Sequence, residues 1–277
     1  MDHFEINAYT PAEMAKRVES AGVAKAGLDM LSMFMLAMLA GAFIALGAMF
    51  YTFVVHNSGL SLGLTQLLGG LVFCLGLILV IVAGAELFTG NNLIVMAYVS
   101  GDIKLSRLLR NWVIVYAGNF AGALMMVLLV YFSNHWAFGD VGVKALMIAN
   151  KKVGMPFSEA LAKGVLCNVL VCLAVWLCFA GRSVTDKILA ILFPVSAFVA
   201  LGFEHSVANM YFIPAGLLLS GDAEILAMIS PATDLTQLTL YGFLINNLLP
   251  VTIGNIIGGG FFVGIVYWFI YLRSHKA

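Results

Sequence analysis

"GFEHSVANM" (residues 202–210) places a glutamate, a histidine and an asparagine in the middle of a run, 187–219, that is otherwise almost wholly apolar. A second long apolar run, 65–99, carries "GAELFTGNN" (84–92) near its own middle. As straight helices, these 35 and 33 residues would each extend about 50 Å, against about 30 Å of bilayer hydrocarbon. A steep tilt is one solution. A break at the polar cluster is the better one, because it gives two half-helices joined by irregular backbone at membrane depth.

The rest of the chain fits a membrane setting. Of 277 residues, 62% are hydrophobic and 10% charged, with a mean hydropathy of +1.02, whereas a soluble domain carries roughly 25% charged residues. Six regions are apolar enough to cross: 28–55, 65–99, 108–132, 161–180, 187–219 and 243–272. The first is too long for a signal-peptide core, so no cleaved leader is expected. Zero net charge gives no global field, and no nucleic-acid partner is expected. The four cysteines (Cys74, Cys167, Cys172, Cys178) lie in apolar runs without C-x-x-C spacing and read as small core residues. No metal site and no cofactor are expected.

Basic residues set the orientation. Lys16, Arg17, Lys25, Lys104, Arg107, Arg110, Arg182, Lys187, Arg273 and Lys276 fall on one side of the six spans, which predicts cytoplasmic termini. Lys144, Lys151, Lys152 and Lys163 fall in or beside an external connection, 133–160. Residues 1–27 read as a cytoplasmic helical segment and 28–277 as one six-span channel domain. In the former, Thr10 is the expected N-cap, Pro11 the first helical residue and Glu13 the third, with Met14 and Val18 on one side. That helix lies along the membrane interface or is simply solvated.

The chain also resembles itself. Aligning Gly84 with Gly202 pairs Glu86 with Glu204 and Asn91 with Asn209; aligning Gly118 with Gly254 pairs Asn119 with Asn255 and Tyr131 with Tyr267. Two halves of three spans each follow, and three is odd, so the repeat is inverted. In such folds the breaks meet near the midplane and build the permeant site.

Ionisable groups at that depth are costly and mark function. Glu86 and Glu204 read first as structural acceptors for backbone N–H groups at the breaks. His205 has no counterpart, since Leu87 occupies the matching place, and it reads as the group that meets a small permeant. Thr89 is its expected neighbour, or else it bonds its own helix backbone. Asn119 and Asn255, flanked by glycines, read as interhelical glue. The other histidines, His3, His56, His135 and His275, read as surface residues. No G-x-S-x-G elbow or metal-ligand set supports an enzyme, and no Asn-Pro-Ala boxes support a neutral-solute channel.

"GAELFTGNNLIV", "GFEHSVANMYFIPAGL" and "NNLLPVTIGNIIGGGFFVGIVYW" resemble the signature segments of the formate/nitrite transporter family, and the similarity runs along essentially the whole chain. The resemblance implies an all-α, aquaporin-like homopentamer in the bacterial inner membrane, each protomer holding a pore for formate and other small monovalent anions. It implies pathway roles for His205, Thr89, Asn255 and Lys152. It implies apolar constrictions at Phe73, Leu77 and Leu87 toward one side and at Phe198 toward the other. It also implies gating at low pH by the N-terminal helix, on which a cytoplasmic formate-metabolising enzyme could dock. A nitrite or hydrosulfide channel is the nearest alternative.

Overall fold

The computed structural model describes residues 8–273; His3, His275 and Lys276 lie outside them. Among the described residues the regular structure is helical. The first helix, α1 (Pro11–Gly27), starts at the expected capping box: Glu13 N–H donates to Thr10 Oγ1 (3.4 Å) and Thr10 N–H to Glu13 Oε2 (2.7 Å). Its apolar face, Met14, Ala15 and Val18, is covered by Leu93, Met96, Trp176 and Val263 of the protein itself.

Among the described residues, five helices are long and apolar enough to cross a membrane: α2 (Met30–Val55), α3 (Leu62–Ile78) with the π-helical turn Leu79–Gly84, α6 (Leu105–Phe132), α8 (Phe157–Cys178), and a continuous helix Gly242–Tyr271 that includes α12 (Leu249–Asn255) and α13 (Val266–Tyr271). They expose Leu, Phe, Val and Ile around the outside, including Leu31, Val113, Phe132 and Phe261. The protein is therefore a multi-pass membrane protein.

The two over-long runs are both interrupted. The first leaves helical geometry at Ala85–Leu87 and resumes as the short pieces α4 (Phe88–Asn91), Asn92–Ile94 and α5 (Val95–Val99). The second is α9 (Val184–Ala200), then a turn, then α10 (Ser206–Leu219). Gly84 (φ 83°) and Gly202 (φ 69°) make the reversals; a side chain at this φ would be strained. Two helices with no role yet stated complete the chain, α7 (Val141–Val153) and α11 (Ala223–Met228). Packing is matched across the molecule: α2 lies against α3 and α6, while α8 lies against α9 and α12, and α3 against α9 joins the two groups. Small residues permit the approach; a Cβ added at Gly164 of α8 would stand 2.8 Å from the Val251 carbonyl oxygen of α12.

Candidate functional site

A broken helix leaves backbone N–H and C=O groups unpaired inside a low-dielectric interior, so each break must be resupplied with partners. At the first, Asn119 Oδ1 accepts from Phe88 N–H (2.9 Å), and its Nδ2 donates to Glu86 O (2.9 Å) and Ala37 O (2.8 Å). At the second, Asn255 Oδ1 accepts from Ser206 N–H (2.9 Å), and its Nδ2 donates to Glu204 O (3.0 Å) and Gly164 O (2.8 Å). Each asparagine, Asn255 included, spends its whole amide on backbone, two bonds on a break and one on a neighbouring helix.

The glutamates have other partners than the backbone N–H groups expected from the sequence. Glu86 Oε1 accepts from Lys25 Nζ (2.5 Å) and its Oε2 from Asn91 Nδ2 (2.7 Å). Glu204 Oε1 accepts from Lys152 Nζ (2.8 Å) and its Oε2 from Asn209 Nδ2 (2.7 Å). Asparagine amides take the Phe88 and Ser206 N–H groups and helix carbonyls those of Glu86 and Glu204, leaving each buried carboxylate to a lysine and an amide. A third pair fixes the lysines: Asn111 links Asn91 to Lys25 O, and Asn247 links Asn209 to Lys152 O. Lys25, Asn111 and Asn247 were not expected at the site. Stepping seven positions upstream from the Gly118–Gly254 pairing would have found Asn111 and Asn247.

The breaks meet through one side-chain contact, Thr89 Oγ1 to His205 Nε2 at 2.9 Å, with both residues buried. His205 is also the N-cap of α10, where its Nδ1 accepts from Ala208 N–H (3.0 Å). A nitrogen that accepts carries no proton, so the neutral ring holds its proton on Nε2 and donates it to Thr89. The Thr89 hydroxyl hydrogen is then left without an acceptor among the described residues. A second ring proton would stand at Nδ1, facing the Ala208 N–H, and would break the cap.

The apolar residues divide differently from the expectation. Phe73 stands with Phe198, ring centroids 5.8 Å apart at 84°, and both line one ≈ 80 Å³ space with His205, Lys152 and Phe212. Leu77 and Leu87 line another, of ≈ 90 Å³, beside Lys25 and Val18. Phe73 therefore belongs with Phe198 and not with Leu77. The two are one helical turn apart on α3, about 6 Å along its axis, so they share a face but reach different levels. The Phe198 ring also lies along that of His205, 6.0 Å away at 17°. On the α1 side a vestibule of ≈ 1470 Å³ opens, lined by Arg17, Lys25, Glu86, Arg182 and Lys187 among others. Arg17 and Arg182 each lie 4.0 Å from the centre of the Tyr9 ring, pinning the start of α1 at its rim.

The arrangement comprises one large vestibule lined by lysines and arginines, two small spaces lined mainly by apolar residues and a buried Thr89–His205 pair, in a shell of helices with a lipid-compatible surface. Comparison with known proteins agrees with it. The formate/nitrite transporter pattern matches residues 12–269. The chain is 46% identical over 271 residues to the formate channel FocA of Escherichia coli (strain K12), covering 96% of this chain and 95% of that one. It is 41% identical over 264 residues to the formate channel FocA of Haemophilus influenzae (strain ATCC 51907 / DSM 11121 / KW20 / Rd), covering 93% of each. A solved structure described as a pentameric formate channel with formate bound superposes with a TM-score of 0.81 at 42% identity, covering 88% of this chain and 98% of that one. Breaks, lysine-paired glutamates and the full-length match thus have one source: this chain belongs to the formate/nitrite transporter family, whose members are transporters and not enzymes.

Proposed function

We propose that the chain is a passive, pH-sensitive channel for formate in the bacterial inner membrane. It works as a homopentamer of six-span protomers, each an inverted three-plus-three repeat of aquaporin-like form with both termini cytoplasmic. The duplicated hydrogen bonds at Glu86 and Glu204 support the repeat, and α9 with α10 supplies the fifth crossing as two halves. The formate-binding relative and its pentameric state support substrate and assembly.

The observation that carries the reading is the Thr89–His205 pair. His205 donates to Thr89, so the hydroxyl hydrogen remains for an acceptor, and a small oxyanion or its acid supplies one. Lys152 on one side and Lys25, Arg17 and Lys187 on the other draw a monovalent anion toward the midplane. Phe73 with Phe198, and Leu77 with Leu87, form the dry levels that an anion crosses at high cost and a neutral acid does not. Because an imidazolium would give up the α10 cap, His205 assists mainly as a hydrogen-bond donor through Thr89. Asn255 contributes by holding Ser206 and Glu204. The cytoplasmic helix α1 is the proposed low-pH gate and the docking face for a formate-metabolising enzyme.

Uptake into proteoliposomes under matched gradients of formate and nitrite, with a pH dye inside, tests this. Fast formate uptake that His205→Ala removes is the expected result. Internal acidification would identify passage of the neutral acid, and membrane current passage of the anion. Nitrite uptake without formate uptake would move the assignment to a nitrite channel.

A further inference from the structure

One buried side chain touches the supports of both breaks. Asn168, in the middle of α8 and fully buried, has its Nδ2 2.8 Å from Asn92 Oδ1, 2.7 Å from Asn255 O and 3.2 Å from Thr89 O. All three neighbours are oxygens, which fixes the orientation of the amide; its two hydrogens are shared among them, Thr89 O being the longest contact, and its Oδ1 is buried without a partner among the described residues. Thr89 O also receives the thiol of Cys172, one turn along α8, at 3.3 Å. Through Asn255, the same amide reaches the residue that holds Ser206 N–H and Glu204 O on either side of His205.

Among the described residues this tie has no counterpart at the first break. Carbonyls of Leu36 and Lys163 take the N–H groups of Glu86 and Glu204, so α2 and α8 are in matching register. In that register the place of Asn168 on α8 is held on α2 by Gly41, where the Asn119 backbone leaves no room for a Cβ. The scaffold is duplicated, and the tie is confined to the half that carries His205.

We propose that Asn168 is a positioning residue: by holding the Thr89 carbonyl and the Asn255 carbonyl on one amide, it sets the separation and angle of the Thr89–His205 hydrogen bond. It acts on the permeant through that pair and does not itself touch it. The flux readout rests on the formate-channel reading above; the ring-nitrogen readout below does not.

The test is a mutant cycle in proteoliposomes with Asn168→Ala, Thr89→Ala and the double variant, alongside the ¹⁵N resonance of His205 Nε2 in isotope-labelled protein. Asn168→Ala is expected to lower formate flux about tenfold, to shift the Nε2 resonance, and to add nothing in the Thr89→Ala background. Losses that multiply in the double variant, or an unchanged Nε2 resonance, would overturn the proposal. Should Asn168→Ala not fold, Asn168→Ser, which keeps one short donor, carries the same test with an intermediate shift expected. A wild type that moves no formate but whose Nε2 resonance responds to Asn168 would sink the channel reading and leave the positioning role standing.

Discussion

The two breaks share nearly every supporting bond and differ in the residues that meet between them. Glutamate, lysine and three asparagines recur around Gly84–Phe88 and Gly202–Ser206 with closely similar distances. Yet Leu87 stands where the other break has His205. In a membrane the requirement that comes first is satisfied backbone, and both halves meet it the same way. Chemistry is then added by residues that the scaffold does not need: Thr89 stands where the other break has Val207, and His205 where the first has Leu87.

The largest effect should come from erasing that difference. His205→Leu makes the second break like the first, and formate flux should fall by about a hundredfold, the scale on which a preorganised buried donor acts. Flux measured in proteoliposomes within a few-fold of wild type would show that the pair is not where the breaks do their work.

Next comes the pair of lysines. Lys152 is 14% exposed and Glu204 4%, while Lys25 is 33% exposed. Lys152→Met strands a buried carboxylate and should cost about 3–5 kcal/mol in thermal unfolding of the detergent-solubilised protein. Lys25→Met should cost less, because water reaches Glu86 from the larger vestibule. Equal losses would mean that the two ion pairs are equally sealed.

These contacts were unequally legible in the sequence. The breaks showed because polar residues interrupt apolar runs too long for the bilayer, and the glutamates showed because they repeat. Thr89 and His205 do touch, as expected of two breaks that meet. Lys25 was read only as a marker of orientation, since a lysine in a polar segment does not reveal that its chain end folds back 61 residues to Glu86. Phe73 shares its space with Phe198 although the resemblance groups it with Leu77 and Leu87; helical spacing could not decide between these, because it gives a face and not a depth. Asn168 has no repeat partner, so self-similarity could not point to it.

The smallest expected effect concerns the supports of the lysines. Lys152 stands on α7, which packs against α10, whereas Lys25 stands on α1, whose start depends on an exposed capping box. The bonds from Thr10 hold the Glu13 carboxyl below its ordinary value of 4.5. A lowered folded-state value stabilises above 4.5, and that contribution is lost as pH falls through the lowered value. Protection factors against hydrogen exchange at the first turn of α1 should therefore fall on acidification below 4.5, ahead of α7, and Glu13→Gln should remove that pH dependence. Matching exchange profiles for the two helices would remove this distinction.

The bonds around each break have a consequence for biogenesis. Every partner named for Glu86, Asn91 and Phe88 lies between residues 25 and 119, and every partner named for Glu204, Asn209 and Ser206 between 152 and 255. A nascent chain can thus quiet the polar groups of its first half before the second has left the ribosome. Thr89, His205 and Asn168 bond from one half to the other, as α3 packs against α9, so the polar pair is completed only when both are in place.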